Sequence, residues 1–284
     1  MGGLIDVNID KDAFGLSKPL TKLIEVVRDG VKGVAAPWQI KRITKAQSES
    51  NKIALLAEIE MAKISSQEWG ELLGKRELRQ MQNINNVVAL AAQNLADEEY
   101  ISDEEVDPDW AAIFFDFVEK ISKEDLQVLW GKILSEEIKQ PNSFYVRTLQ
   151  TIFFLSKEET SAFISLTKYV FNESVILFDS RLPISERLLD FPEVEIAITL
   201  GLVNPMTVTH KMIVTQKSQT CIGNRDITLI LANDSSIEIS ITGLVLTEVG
   251  IQLFKLARTA PTLDILEYYK NYIEKKYSIT VCIN

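Results

Sequence analysis

The stretch DPDWAAIFFDFV (residues 107–118) decides the fold of the central part of the chain, because its apolar residues recur densely at helical spacing. The next stretch, KEDLQVLWGKILSEEIK (residues 123–139), follows Ser122 as an N-cap and has acidic residues in its first turn. A turn at QPNS (residues 140–143) separates it from a further helix, and Ser156 begins a second capping signal. These short helices and turns predict a compact helical bundle over residues 107–180.

Aromatic side chains are concentrated in this bundle. They occur at helical spacing, and the simplest interpretation is that they form its core: Trp110, Phe114, Phe115, Trp130 and Phe144. Glu136 and Glu137 are adjacent on one helix and point about 100° apart, so they do not form an acid and base pair. The pattern therefore predicts that these side chains form a packed core and not a catalytic site.

Several motifs around the bundle carry a family resemblance. They are DPDW (residues 107–110), LWGKIL (residues 129–134), Glu137, PNSF (residues 141–144) and RTL (residues 147–149), together with LSKPLTKLI (residues 16–24) ahead of a long charged helix. Over most of its length the chain resembles an uncharacterised bacterial family, a domain of unknown function found in bacteria and mobile elements. The resemblance transfers no catalytic residue. It implies a bacterial cytoplasmic protein with a role in phage conflict or abortive infection.

The segment PLTKLIEVVRDGVKGVAA (residues 19–36) predicts an amphipathic helix. Its apolar face is formed by Leu20, Leu23, Ile24, Val27 and Val31, and a basic flank follows at Lys32, Lys41, Arg42 and Lys45. Two interpretations stay open. A membrane-surface helix would place the face among lipid headgroups and the flank near anionic lipid. A packing helix would place the face against another helix or subunit, where small residues such as Gly30 permit close approach.

The region after Pro37 is rich in helix-forming residues and contains no further proline before residue 96. As one helix it would span about 90 Å, which a single globular domain cannot cover. Its interrupted apolar stripe does not follow a clean heptad; the stripe contains Ile40, Ile43, Ala46, Ile53, Leu56, Ile59, Ile64, Leu72, Leu78, Met81, Val88, Ala91 and Leu95. We therefore expect residues 1–96 to form an oligomerisation region through which copies of the chain assemble.

Charge divides the chain unevenly. The net charge is −10, with +2 on residues 1–96 and −12 on residues 97–284. The change falls in an acidic run at residues 97–109, which we interpret as a solvated linker. Because phosphate binding needs a basic face, the acidic C-terminal part disfavours nucleic acid as a partner.

Residues 181–284 predict an α+β module, with strands at 211–216, 226–232, 236–241 and 278–283. LGLV (residues 200–203), a hairpin and LTEVGIQL (residues 246–253) resemble the wing region of winged-helix domains. This gives an alternative function, a nucleic-acid-binding regulator. The helix predicted before the wing is acidic, however, and suits a phosphate groove poorly.

The predicted fold class is mainly α, with long N-terminal helices, a central bundle and a C-terminal α+β module resembling a winged helix. One histidine, His210, and two cysteines, Cys221 and Cys282, offer few ways to build a site. We expect no catalytic residue, metal site or cofactor. We expect a non-enzymatic, self-associating bacterial protein that acts as an anti-phage effector or sensor, at a membrane or on a phage or host protein. No leader or long apolar window is apparent, so the predicted location is the cytoplasm, with peripheral attachment to the inner membrane if the membrane interpretation holds.

Overall fold

The described residues of the N-terminal half form helices, and an antiparallel sheet dominates the described part of the C-terminal half. The computed structural model describes residues 17–31, 74–98, 100–177, 189, 191–231 and 236–283. The chain divides into two compact units, residues 1–149 and 150–284. These units do not coincide with the predicted ranges 1–96, 107–180 and 181–284. The helices of the first unit are α1 (Lys18–Gly30), α2 (Lys75–Leu95), α3 (Pro108–Val118), α4 (Glu124–Lys139) and α5 (Val146–Phe154), the last of which crosses the division.

An aromatic core holds the helical unit together. The five predicted core aromatics are all buried, which confirms that prediction. The rings of Trp110 and Phe114 stack at 5.1 Å, and Phe114 meets Trp130 at 5.3 Å. Helix α2 packs along α4 at Gly131, where a Cβ atom would lie 2.7 Å from the Cβ of Leu90. The glycine of the LWGKIL motif therefore permits the close approach of these two helices.

The second unit is built on a seven-stranded sheet. Its order is β3-β6-β2-β1-β4-β5-β7, and all its pairings are antiparallel. Helices α8 and α9 follow β6 in the chain. The described elements are α6 (Lys157–Thr167), β1 (Val170–Phe171), β2 (Val175–Leu177), α7 (Phe191–Thr199), β3 (Val203–Val214), β4 (Lys217–Ile222), β5 (Arg225–Ile230), β6 (Ile237–Leu246), α8 (Glu248–Ala257), α9 (Leu263–Tyr277) and β7 (Thr280–Ile283).

This topology overturns the predicted fold class, because the C-terminal region is sheet-rich and the winged-helix resemblance is wrong. A wing is a hairpin of consecutive strands beside a recognition helix, whereas β3 pairs with β6 across 22 intervening residues. The short strands β1 and β2 join this long ribbon to the β4–β5 hairpin. Two- and three-residue strands are too short to show an alternating pattern, so the sequence gives no sign of this connection. The alternative function, a nucleic-acid-binding regulator, rested on the winged-helix resemblance and therefore loses its support.

Helix α9 supplies hydrogen bonds to backbone groups for which the sheet offers no partner strand. The hydroxyl of buried Tyr269 accepts a bond from the Leu177 amide at 2.9 Å and donates to the Tyr169 carbonyl. The Tyr277 hydroxyl accepts from the Ser240 amide at 2.7 Å and donates to the carbonyl of the same residue at 2.6 Å. Burial raises the pKa of Tyr269, so its hydroxyl keeps the proton that it donates.

We expect Tyr269→Phe to lower the free energy of unfolding by about 1–3 kcal/mol, because the buried Leu177 amide loses its acceptor. Denaturant unfolding followed by circular dichroism measures the change. Tyr272→Phe is the matched control, because among the described residues its partly exposed hydroxyl accepts only from the Lys276 ammonium. Equal stability of both variants would contradict the role given to Tyr269.

Candidate functional site

Three of the family-like motifs meet at the C-terminal end of α4. The Trp110 indole of DPDW donates to the carbonyl of Phe144 in PNSF at 2.6 Å. The same PNSF turn is held by Glu137, the residue that follows LWGKIL by three positions. We call the cluster of Lys22, Ser102, Trp110, Glu137 and Phe144 the α4 junction.

Glu137 is the central group of the α4 junction. Its side chain is only 2% exposed, and its two carboxylate oxygens accept from the amides of Asn142 at 2.6 Å and Phe144 at 2.9 Å. Asn142 has a φ of 68°, a left-handed conformation that asparagine tolerates better than most residues. The carboxylate therefore acts as an acceptor for a tight turn whose amides point inward.

Burial raises the pKa of Glu137, and the bonds from the Phe144, Asn142 and Ser143 amides oppose that change. A buried carboxylic acid of this kind resembles a general acid in its environment. Its oxygens accept hydrogen bonds from backbone amides, however, so the carboxylate stabilises the turn. Among the described residues, no group of three or more His, Cys, Asp and Glu side chains could hold a metal ion.

The acidic run lies against α1 within the helical unit. The Lys22 ammonium is largely buried and donates to the carbonyls of Ser102, at 3.2 Å, and Glu104. Lys18 pairs with exposed Asp103, and the Ser102 amide donates to the Lys139 carbonyl at 2.9 Å. The acidic side chains at residues 103–109 are exposed, but the backbone of this run connects α1 to α4, so the run is more than a linker. Burial lowers the pKa of Lys22.

The structure places the predicted apolar face of α1 inside the helical unit. Leu23, Ile24, Val27 and Val31 are buried, while Leu20 is partly exposed. The face lies towards α3 and also approaches α2 and α4. At Gly30 a Cβ atom would lie 2.5 Å from a ring carbon of Phe115, so only glycine fits without a shift. This arrangement corresponds to the packing interpretation.

The basic flank of Lys32, Lys41, Arg42 and Lys45 lies outside the described residues. Among the described helices, none is both long enough and apolar enough to cross a membrane.

The residues with potential chemistry in the second unit lie apart from the α4 junction in sequence. The His210 ring nitrogen Nε2 is 3.1 Å from the Asn172 amide nitrogen. Cys221 is buried in β4, and burial raises the pKa of its thiol. Cys282 lies in β7, and neither cysteine forms a disulfide. The structure brings none of these three residues into a nucleophile and base arrangement.

Lys22 and Ser102 were not predicted as members of the α4 junction. In the sequence, Lys22 has the pattern of a solvated lysine on the polar face of the helix. Its position at the edge of the apolar stripe, next to Leu23, is the one signal that could have suggested a buried stem with a reaching ammonium.

We expect Glu137→Ala to lower the free energy of unfolding by about 1–3 kcal/mol for each amide that loses its acceptor. The raised pKa means that the folded state binds the carboxyl proton more tightly than the unfolded state. The contribution of Glu137 to the free energy of unfolding therefore falls as the pH rises from the ordinary pKa of Glu, about 4.3, through its raised pKa in the folded state. The stability difference between wild type and variant should shrink over that window in denaturant titrations. Glu136→Ala is the control, because it removes only a half-exposed ion pair with Lys139.

We expect Val27→Asp to unfold or severely destabilise the helical unit, because it buries an unpaired charge at a fully buried position. Thr21→Asp carries the same charge near the N-terminus of α1, where a carboxylate is favourable, and should be tolerated. Thermal unfolding and sedimentation with anionic liposomes at low salt measure the two effects. A stably folded Val27→Asp protein that loses liposome binding shown by the wild type would support the membrane interpretation instead.

Comparison with known proteins identifies a family that matches this chain. The searches of curated proteins and of solved structures give no significant match. The family model described as "Protein of unknown function (DUF2806)" matches residues 72–272, from the start of α2 into α9. This match covers most of the chain, includes the α4 junction except for Lys22, and confirms the resemblance to an uncharacterised family. The chain belongs to this family of unknown function.

Proposed function

We propose that this protein is a non-enzymatic bacterial protein that assembles with copies of itself through residues 38–82 and acts in phage defence as an effector or sensor. The self-association is supported by a change in burial along the apolar stripe of α2. On α2, Val88, Ala91 and Leu95 are buried against the helical unit. Leu78 and Met81 lie about two to three turns before Val88 on the same stripe and are only partly buried.

The stripe upstream of α2 therefore supports an intermolecular contact. Its apolar positions continue through Ile53, Leu56 and Ile59 at helical spacing. Helices α1 and α2, which flank this segment in the chain, approach each other in the helical unit. A long apolar stripe in the sequence between two packed helices is most readily covered by the same stripe of a second copy. The family match begins at residue 72, so residues 38–71 of the proposed contact lie ahead of the matched part.

The non-enzymatic character is supported by how the chemically capable groups are used. Glu137 is bonded to backbone amides, and His210 lies beside Asn172. The role in defence rests on the family resemblance and on no contact in the structure. Because the apolar face of α1 is buried in its own unit, we propose that copies assemble through protein contacts and not through lipid.

We expect the double variant Leu56→Asp, Ile59→Asp to lower the particle mass measured by light scattering while keeping the helical circular dichroism signal. The reason is that two carboxylates on an apolar contact are desolvated on association. Gln47→Asp, Asn51→Asp is the matched control, because these positions point away from Leu56 on a helix. A wild-type protein that is monomeric at micromolar concentration would contradict the proposal.

The defence role has a separate test. Expression of the wild type in a susceptible bacterial host should reduce the plating efficiency of phage, and the Leu56→Asp, Ile59→Asp variant should lose this effect if assembly is required. Equal plating with and without the wild type across a varied phage panel would overturn the defence role and leave the self-association standing.

A further inference from the structure

In the second unit, side chains of α9 bond backbone groups of β2, β6 and β7 that have no partner strand. Tyr269 caps β2 at Leu177, and Tyr277 caps β6 at Ser240. Glu274 accepts from the Val281 amide of edge strand β7 at 2.9 Å. The other edge strand, β3, is the longest of the described strands, and its exposed central residues have no such cap among the described contacts.

The Tyr277 contact identifies which backbone groups of β3 point outward. Ser240 lies opposite Lys211 in the β3–β6 ladder, and its amide and carbonyl turn away from β3 towards Tyr277. The pair is therefore a non-hydrogen-bonded one, and the Lys211 amide and carbonyl turn away from β6. By alternation, the outward groups of β3 are those of Thr207, Thr209, Lys211 and Ile213, four residues with exposed side chains.

We propose that this edge of β3 pairs with β3 of a second copy of the chain in an antiparallel, two-fold symmetric ladder centred on His210. In this register Thr209 of each copy forms a hydrogen-bonded pair with Lys211 of the other, and Thr207 pairs with Ile213 in the same way. The outward backbone groups of all four residues on each strand then form hydrogen bonds with the other copy. A two-fold axis perpendicular to the sheet keeps the same face of both sheets on the same side, as antiparallel pairing requires.

The side chains favour a second copy as the occupant. The exposed Val208 would lie opposite Met212, and the 68%-exposed Ile213 opposite a β-branched threonine, both favourable cross-strand pairs. Strand β3 contains no carboxylate although the whole chain carries a net charge of −10, so this edge avoids acidic repulsion between copies. The proposed register also keeps the two Lys211 side chains apart, whereas moving its centre by one residue would place them directly opposite each other.

This contact is independent of the one proposed for residues 38–82. Each copy would then carry two different self-complementary surfaces, one on the N-terminal stripe and one on the sheet edge. Two such surfaces link copies into a chain of alternating contacts or, if the geometry closes, into a ring. The test is therefore made in the Leu56→Asp, Ile59→Asp background as well as in the wild type.

The first test removes one outward amide. Thr209→Pro takes away an N–H that faces the second copy, and proline is tolerated on an edge strand when its N–H side faces solvent. Thr209→Val is the matched control, because both changes remove the hydroxyl contact with Thr242 but valine keeps the amide. In the stripe-variant background, Thr209→Pro should halve the particle mass relative to Thr209→Val. Equal masses, with both proteins folded, would overturn the proposal.

The second test reads the register directly. Residues directly opposite in a non-hydrogen-bonded antiparallel pair have Cα atoms about 4.5 Å apart, within the range of a disulfide. His210→Cys should therefore form a covalent dimer under mild oxidation, visible on a non-reducing gel. Thr207→Cys should not, because its two copies would lie about 20 Å apart along the ladder. A dimer from Thr207→Cys, or none from His210→Cys, would overturn the register and with it the proposed contact.

Discussion

The sheet of the second unit depends on hydrogen bonds that come from a helix rather than from a neighbouring strand. Buried backbone groups must be paired, and β2 and β6 each present groups for which the sheet offers no partner. Tyr269 and Tyr277 meet this need with hydroxyls that both donate and accept. Tyr269 also stacks on Phe171 at 5.9 Å, so one side chain joins the apolar core to the strand ends.

The helical unit solves a different problem, which is how to bring helices close together around large aromatic rings. Gly30 on α1 and Gly131 on α4 each lie where a Cβ atom would overlap a neighbouring helix. The turn after α4 is then fixed by Glu137, and α1 is fixed by the Lys22 bonds to two carbonyls. Residues that look polar or featureless in the sequence thus set the spacing of the bundle.

The central helices were predictable because their apolar residues repeat over several turns between clear capping signals. The face of α1 was predictable as a set of residues, but its partner α3 was not, since a periodic stripe carries no information about what covers it. The N-terminal half of β3 escaped detection because Met206, Thr207 and Val208 are exposed on both faces of an edge strand and show no alternating burial. Strands β1 and β2 are too short for any pattern, and their absence from the prediction led to the mistaken winged helix.

The α4 junction shows the same limit for a site. The motifs include most residues of this junction, but the roles of Glu137 and Trp110 follow only from their hydrogen bonds to the backbone of the turn at residues 142–144. Hydrogen bonds between a side chain and a distant amide follow from tertiary packing, and no spacing rule in one sequence encodes them.

The position of α9 in the chain has a consequence for biosynthesis. Tyr269, Glu274 and Tyr277 are translated after six of the seven strands, so those strands emerge from the ribosome before the groups that cap them exist. Residues 74–149, in contrast, contain the α2–α4 pairing and leave the ribosome early. Domains generally fold as units as they are made, so the helical unit can form during translation, whereas the sheet is completed only after α9 has been made. During that interval its uncapped strand edges are the part of the nascent protein that a ribosome-associated chaperone would need to shield.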